Sequence, residues 1–340
     1  MFKLFYTLIL SMFFVCPANA NNGDSQSNTF GMKSIFSFLN FSPNQQESKE
    51  KKEQALKTTQ ELADSGDVNA QLFIAYSYLY GQNDFAVDYQ KAFDYYSLAA
   101  AQDSPIALNN LGSLYYSGIG VERNSAKAAA LFARAATLGN TEAAVNLGFI
   151  LISGNGAEKN SEKAMMYFEQ AANNNNPTAQ FMLGYAYYTG KLRPQNYTLA
   201  AELIKKAADA GFDEAQYVMA MMYIKGEGYP QNYGFAINNL EKSVEQGRVE
   251  AMMTLADILA KGSKYKKDNY RAHVLFNLSA VKNVAGAAQR RVAVERQMKL
   301  EEVLQAQTEA NNYQPQLTEL STYIRNTFGA NLRSYIDDAI

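Results

Sequence analysis

His273 is the only histidine in the 340 residues and Cys16 the only cysteine, which leaves little side-chain chemistry to assemble. A zinc site or a serine triad needs several such groups converging on one point. His273 has no second histidine or cysteine to join it, so it reads as a structural residue. Ser279-Ala280-Val281-Lys282 has the Ser-x-x-Lys spacing of penicillin-recognising enzymes, but neither their Ser-Asp-Asn nor their Lys-Thr-Gly companion occurs in the chain. Glu301 and Glu302 are neighbours on a helical stretch and therefore point apart, as on a solvated face. Gly154-Asn155-Gly156 and its relatives follow no strand and precede no Gly-Lys-Ser/Thr, so they read as turns and not as phosphate loops. The triplets at Asn40, Asn196 and Asn277 match the glycosylation acceptor pattern and receive no role. The expectation is a protein that is not an enzyme and has no cofactor, catalytic residue or metal site.

Charge and composition exclude further classes. Thirty-one basic against thirty-three acidic residues give a formal charge of −2, and Arg290-Arg291 is the only notable arginine pair outside mixed Lys/Glu runs, so no nucleic acid is expected as a partner. Lys3, the mostly apolar stretch Leu4 to Val15 and the small residues of Ala18-Asn19-Ala20 form a signal peptide with cleavage after Ala20. That stretch is too short to span a bilayer, and no later run reaches about 18 apolar residues. The expected location is periplasmic or secreted. Cys16 lies inside the signal, so the mature chain enters an oxidising compartment without a thiol, and disulfides cannot brace it. Phe14 and Val15 precede Cys16 where a lipoprotein would carry small residues, which argues against lipidation.

The elements that must position any function repeat every 36 residues. Alanines stand at 92, 128, 164, 200, 236 and 272, a second series at 107, 143, 179, 215 and 251, and glycines at 118, 154, 190, 226 and 262. The first copy, with Ala70 and Gly81, carries one extra loop residue. Within a unit, Ala107, Leu111, Leu114 and Tyr115 make one helical stripe, and Ala128, Leu131, Phe132, Ala135 and Ala136 make another. A glycine turn such as Ser117-Gly118-Ile119-Gly120 separates the two helices. The second helix starts at Asp88, Asn124, Asn160, Asn196, Asn232 or Asp268, residues whose side chains accept from free backbone amides. Gly112, Gly148 and Gly184 lie in the middle of first helices, where glycine costs about 1 kcal/mol relative to alanine. Ala220 and Ala256 hold the same phase, which marks a place where paired helices approach closely.

The pattern Ala-x3-Leu-Gly-x2-Tyr-x2-Gly-x-Gly, then Asn-x2-Lys-Ala and a closing Ala-Ala-x2-Gly, resembles the Sel1-like repeat, a relative of the tetratricopeptide repeat. The second unit carries it most fully, on Ala107, Leu111, Gly112, Tyr115, Gly118, Gly120, Asn124, Lys127, Ala128, Ala135, Ala136 and Gly139. Later copies depart from it: Ser243-Val244 and Ser279-Ala280 replace the double alanine, and Phe235 replaces the lysine. The resemblance implies an all-α solenoid of helix-turn-helix repeats. It also implies adaptor roles in envelope assembly, signalling or contact between bacterium and host.

The domain plan is a signal peptide at 1–20, a polar leader at 21–46 with an apolar patch at 30–41, and an N-terminal capping helix at 47–66. Six repeats follow at 67–283, then a C-terminal capping helix at 284–312 and a short amphipathic tail at 313–340, in which Leu317, Leu320, Ile324, Phe328, Leu332 and Ile336 keep helical spacing around Gly329. A single helix pair cannot bury both faces, so neighbours stack and function belongs to the face lined by first helices. With Leu111 and Tyr115 taken as core, the phase sends Leu72, Tyr76, Leu79, Asn109, Ser113, Tyr116, Val145, Phe149, Ile152, Phe181, Tyr185, Tyr188, Tyr217, Met221 and Ile224 to that face as exposed residues. Exposed apolar patches mark binding surfaces, so Tyr76, Tyr116, Phe149, Phe181, Tyr185, Tyr188, Tyr217 and Met221 are the expected contacts of a protein partner. The alternative is a structural envelope protein that binds cell-wall glycan on its tyrosines. Neither the partner's identity nor the oligomeric state is written in the sequence.

Phe30, Met32, Ile35, Phe36, Phe38, Leu39 and Phe41 form an apolar cluster in an otherwise polar leader, which predicts that the segment docks on its own repeats, on a partner or on a membrane. Hydrogen exchange is expected to show protection of residues 30–41 in one of these settings. Full exchange in the protein alone, with membranes and with envelope extract removes the docking idea.

Overall fold

The computed structural model describes residues 45–339; the expected signal peptide and the apolar patch at 30–41 lie outside them. The described residues form helices without a strand, as an α-solenoid requires. The chain divides into two compact units, Met1–Asn174 and Asn175–Ile340. In the first, α1 (Gln45–Asp64) precedes the helix pairs α2 (Val68–Tyr80) and α3 (Tyr89–Ala101), α4 (Pro105–Ser117) and α5 (Ser125–Thr137), and α6 (Thr141–Ser153) and α7 (Ser161–Asn173). The second holds the pairs α8 (Pro177–Thr189) and α9 (Tyr197–Asp209), α10 (Asp213–Lys225) and α11 (Tyr233–Glu245), and α12 (Val249–Lys261) and α13 (Asn269–Val281). After these come α14 (Ala287–Glu295), α15 (Leu300–Asn312), α16 (Glu319–Phe328) and α17 (Arg333–Asp337).

Local chemistry sets the helix ends. Asp88, Asn124, Asn160, Asn196, Asn232 and Asp268 all take extended or near-extended backbone, and each side chain accepts from the backbone N–H three residues on. First helices end at a left-handed glycine: at Gly118, φ is 74° and the N–H donates to the Leu114 carbonyl at 2.8 Å. These signals recur at a fixed distance, so every repeat helix is 13 residues long.

The mid-helix glycines make room for a partner on the second helix. A Cβ built on Gly112 would lie 2.9 Å from the Phe132 ring, on Gly148 2.9 Å from the Phe168 ring, and on Gly184 2.9 Å from Ile204. Tyr96, Phe132, Phe168, Ile204, Leu240 and Phe276 hold the same place on the six second helices, and all are fully buried. The three pairs with a glycine therefore close by pressing a large side chain onto the bare backbone of the first helix.

The single capping helix expected at 284–312 is two helices, broken between Glu295 and Leu300. Had the helix run straight, the stripe of Val294 and Met298 would continue onto Glu301 or Glu302. The break shifts the phase so that Val303, Ala306 and Ala310 turn inward. The Glu302 carboxylate then caps the new start by accepting from the Lys299 N–H at 2.9 Å.

His273 is fully buried on α13, neither ring nitrogen has a hydrogen-bond partner, and the Glu295 carboxylate of α14 stands 3.6 Å away. Burial pushes the imidazole below its usual range, Arg291 works in the same direction, and Glu295 opposes both. Because its pKa is lower in the folded chain than in the unfolded one, this histidine contributes stability above the usual imidazole pKa and loses it as pH falls toward the folded value. Stability against thermal unfolding is expected to fall from pH 7 to pH 5 by up to about 1.4 kcal/mol per pH unit through this group. His273→Met should flatten that slope, and an identical slope in the variant would assign the acid sensitivity elsewhere.

Candidate functional site

The first helices are enclosed on more sides than a two-faced reading allows. In α6 the ten residues Ala143 to Ile152 are all buried, a pattern of helices covered all round. Asn146 Nδ2 of α6 donates to Asn109 Oδ1 of α4 at 3.0 Å, so successive first helices lie side by side. Side chains pointing along that direction are clamped between neighbours. Leu72, Leu79, Asn109, Ser113, Val145, Phe149, Ile152, Phe181 and Tyr185 are therefore interior, which corrects their reading as exposed. Phe149 is 5% exposed and meets the Phe168 ring edge-on at 5.2 Å, and Phe181 meets Phe212 in the same way at 4.9 Å.

Of the expected contact residues, Tyr76, Tyr116, Tyr188, Tyr217 and Met221 stay half-buried. In the first unit Tyr76 packs on Tyr80 at 4.5 Å. Tyr116 accepts from Asn155 Nδ2 at 2.9 Å and lies under the Arg123 guanidinium. Asn155 sits in the Gly-x-Gly turn of the following repeat. Tyr188 makes the corresponding tie in the second unit: its hydroxyl donates to Glu227 at 2.7 Å, again in the next turn, and accepts from Lys225 Nζ at 3.0 Å. Burial and the Glu227 carboxylate both raise the Tyr188 phenol, so it remains a donor at any physiological pH. These tyrosines thus belong partly to the joints between repeats.

In the second unit the site is already occupied, by the end of the same chain. Ile324, Phe328, Leu332 and Ile336 of the tail are buried, as is Ser321, while Leu317 remains exposed. Asp213 and Glu214, at the start of α10, are fully buried carboxylates. Asp213 receives Arg248 Nε at 2.7 Å and the tail's Arg325 Nη2 at 2.6 Å. Glu214 receives Arg333 Nε at 2.8 Å and the Leu332 N–H at 2.8 Å. Arg333 also reaches Glu250 at 3.2 Å and lies over the Tyr217 ring, 5.2 Å from its centre. At the far end, Tyr185 donates to Asp337 at 3.3 Å, and Asp337 pairs with Lys191 at 3.1 Å. Burial, with the nearby Asp337 charge, pushes the Tyr185 phenol up to about 12.

Tyr185 and Tyr217 therefore meet at one surface with the tail. The acidic pair and Arg248, which hold the tail's two arginines, the Leu332 N–H and the Ala330 carbonyl, escaped the periodicity reading. A signal was present: Asp67, Ser104, Asn140 and Asn176 cap the first helices of the first four repeats with their side chains, whereas Phe212 and Arg248 stand in that place in the last two and provide no such cap. In the first unit Glu142 holds the register position of Glu214, and burial raises its carboxyl above the ordinary range. Among the described residues no group of histidine, cysteine or carboxylate side chains is arranged to hold a metal, and no helix is long and apolar enough to cross a membrane.

Stacked pairs of 13-residue helices with a peptide-like segment along the first helices define a helical-repeat protein. The Sel1 repeat family model matches residues 68–104, 105–140, 141–176, 177–212, 213–247 and 249–280, and the chain belongs to that family. Proteins of Sel1 repeats generally mediate protein–protein interaction, and the solenoid is typically a non-catalytic scaffold. The chain is similar to DAP3-binding cell death enhancer 1 of Rattus norvegicus, 32% identical over 89 residues, which is 26% of this chain and 17% of that protein. Its fold is similar to a protective antigen of uropathogenic Escherichia coli strains with an SLR fold, at 23% identity and a TM-score of 0.68, over 85% of this chain and 64% of the antigen. It is also similar to a Sel1 repeat protein of Oxalobacter formigenes, at 20% identity and a TM-score of 0.55, over 76% of this chain and 100% of the other. The chain thus spans a small part of the rat protein and less than two thirds of the antigen.

Since Tyr185 is interior and Tyr188 ties two repeats, their substitution is expected to act on stability. Tyr185→Ala should cost about 3 kcal/mol as a buried aromatic truncation, and Tyr188→Phe about 1 kcal/mol through the lost hydroxyl bond. Urea unfolding monitored by circular dichroism checks both, and wild-type midpoints in both variants would return these tyrosines to a purely surface role.

Proposed function

We propose that this chain is an exported scaffold that binds partner proteins along its first helices, in envelope assembly, signalling or host contact. The observation that carries this reading is the grip on the tail: the second unit holds a short helical segment through buried carboxylates, an aromatic wall and four apolar side chains. A surface able to hold one such segment has the chemistry to hold another, and helix-in-groove docking reuses these features. Tyr76 and Tyr116 in the first unit, and Tyr188, Tyr217 and Met221 in the second, are the half-buried side chains through which partners make contact. Phe149, Phe181 and Tyr185 support them from beneath. The signal-like residues 1–20 support a periplasmic or secreted location for the mature chain.

A photoreactive residue in place of Tyr116 or Met221, irradiated in cells, is expected to give a discrete cross-linked protein, and mass spectrometry of the recovered chain should find Asn21 at its N-terminus in the periplasmic or medium fraction. Reproducible absence of any adduct at both positions removes the binding reading. An intact chain retained in the cytoplasm removes the export reading.

A further inference from the structure

The last residues of the chain behave as a ligand with respect to the repeats of the second unit. They follow the non-helical stretch 313–318, and the two helices they form have 10 and 5 residues, too few to persist without the surface beneath them. Several of their contacts converge on the start of α10, and others reach Tyr185 and Lys191 of the fourth repeat and Glu250 of the sixth. Phe212 leaves the start of α10 without a side-chain cap, and the Asp213 N–H donates instead to the hydroxyl of Ser321, 108 residues away. The Gly211 carbonyl accepts from Thr318 Oγ1 at 2.9 Å, and Gln246 Oε1 accepts from the Thr318 N–H at 3.2 Å.

Charge shows what the surface asks of an occupant. Asp213, Glu214 and Glu250 face one arginine of the repeats, Arg248, whose guanidinium lies 2.7 Å, 3.7 Å and 3.4 Å from them. Two negative charges are left over, two of these three carboxylates are fully buried, and Arg325 and Arg333 of the tail supply the two missing cations. Arg248 stays with the repeats when the tail leaves, so the acidic pair is never without a cation. The empty surface still carries an excess negative charge that draws an arginine-bearing segment.

We propose that the C-terminal tail is a releasable cis ligand, and that the second unit takes up a partner protein's short helical segment, with two arginines and apolar side chains placed as in the tail's two helices, by displacing it. The proposal rests on the scaffold reading above and deepens it. The tail sets a threshold: a segment must match both arginines and the apolar spacing of Ile324, Phe328, Leu332 and Ile336 to compete with a neighbour tethered at high effective concentration. Specificity and the suppression of casual binding follow from one device.

The test uses the full chain and a fluorescent synthetic peptide of residues 316–339. In the variant Arg325→Glu/Arg333→Glu the tail's charges repel Asp213 and Glu214, and fluorescence anisotropy should show the peptide binding at least tenfold more tightly than to the wild type. Adding Asp213→Asn/Glu214→Gln to that variant should abolish the gain. Equal peptide affinity for wild type and double variant overturns the proposal, and so does a concentration-dependent dimer that Arg333→Glu dissolves, since the occupant is then a second copy. If the variant does not fold, hydrogen exchange on the wild type decides: α16 and α17 are expected to exchange well before α10, and equal protection of all three makes the tail a permanent part of the fold. Cross-linking at Tyr116 is read separately. A partner captured there with an inseparable tail leaves the scaffold reading standing, whereas peptide uptake without any partner leaves the tail's release standing alone.

Discussion

Contact between one large side chain of the second helix and one small residue of the first governs each repeat. Phe132 on Gly112 and Phe168 on Gly148 leave no space for a Cβ, so the helix axes approach until ring and backbone touch. The approach buries apolar surface at about 25 cal/mol per Å² and fixes the rotation of both helices about their axes. Everything with a regular position in the chain follows from it. The left-handed glycine and the asparagine or aspartate cap stand at regular distances in sequence from that contact. Extra bulk at the glycine would push the two helices of the pair apart.

Helices held this closely leave little surface of their own. A first helix meets its second helix on one side and further first helices beside it, so Val145, Phe149 and Ile152 are covered without any partner protein. What remains half-open is a narrow set of tyrosines, and two of them, Tyr116 and Tyr188, are also engaged with the Gly-x-Gly turn one repeat on. In the proposed reading, binding and stacking share side chains. Each phenol spends its hydroxyl on the next repeat, which holds its aromatic face in place.

Electrostatics in the second unit departs from this regularity. A buried carboxylate is costly unless it is paired and hydrogen-bonded, and Asp213 and Glu214 are both buried at the start of one helix. The helix N-terminus and Arg248 offset part of that cost. The remainder is met by Arg325, Arg333 and the Leu332 N–H, all from more than a hundred residues further along the chain. Repeat architecture makes such a device easy to accommodate. One unit can abandon its own capping residue while its neighbours keep the stack intact.

The repeat length, the helix limits and the close approach at Gly112, Gly148 and Gly184 were legible in the sequence, because each depends on residues a few positions apart and recurs in register. The apolar spacing of Ile324, Phe328, Leu332 and Ile336 likewise announced a docking segment. Exposure of the first-helix face was not legible, since helical phase reports which way a side chain points and not whether another helix stands there. Neither was the break at Arg296 to Lys299, which reflects where α13 needs apolar partners. The sequence by itself determined the solenoid, its family and its caps, all products of local propensity and period. Only the tertiary structure decided that Tyr185 is interior, that Asp213 and Glu214 are partnered, and that the tail lies on them, because these pairings join residues whose separation follows no period and is set by packing alone.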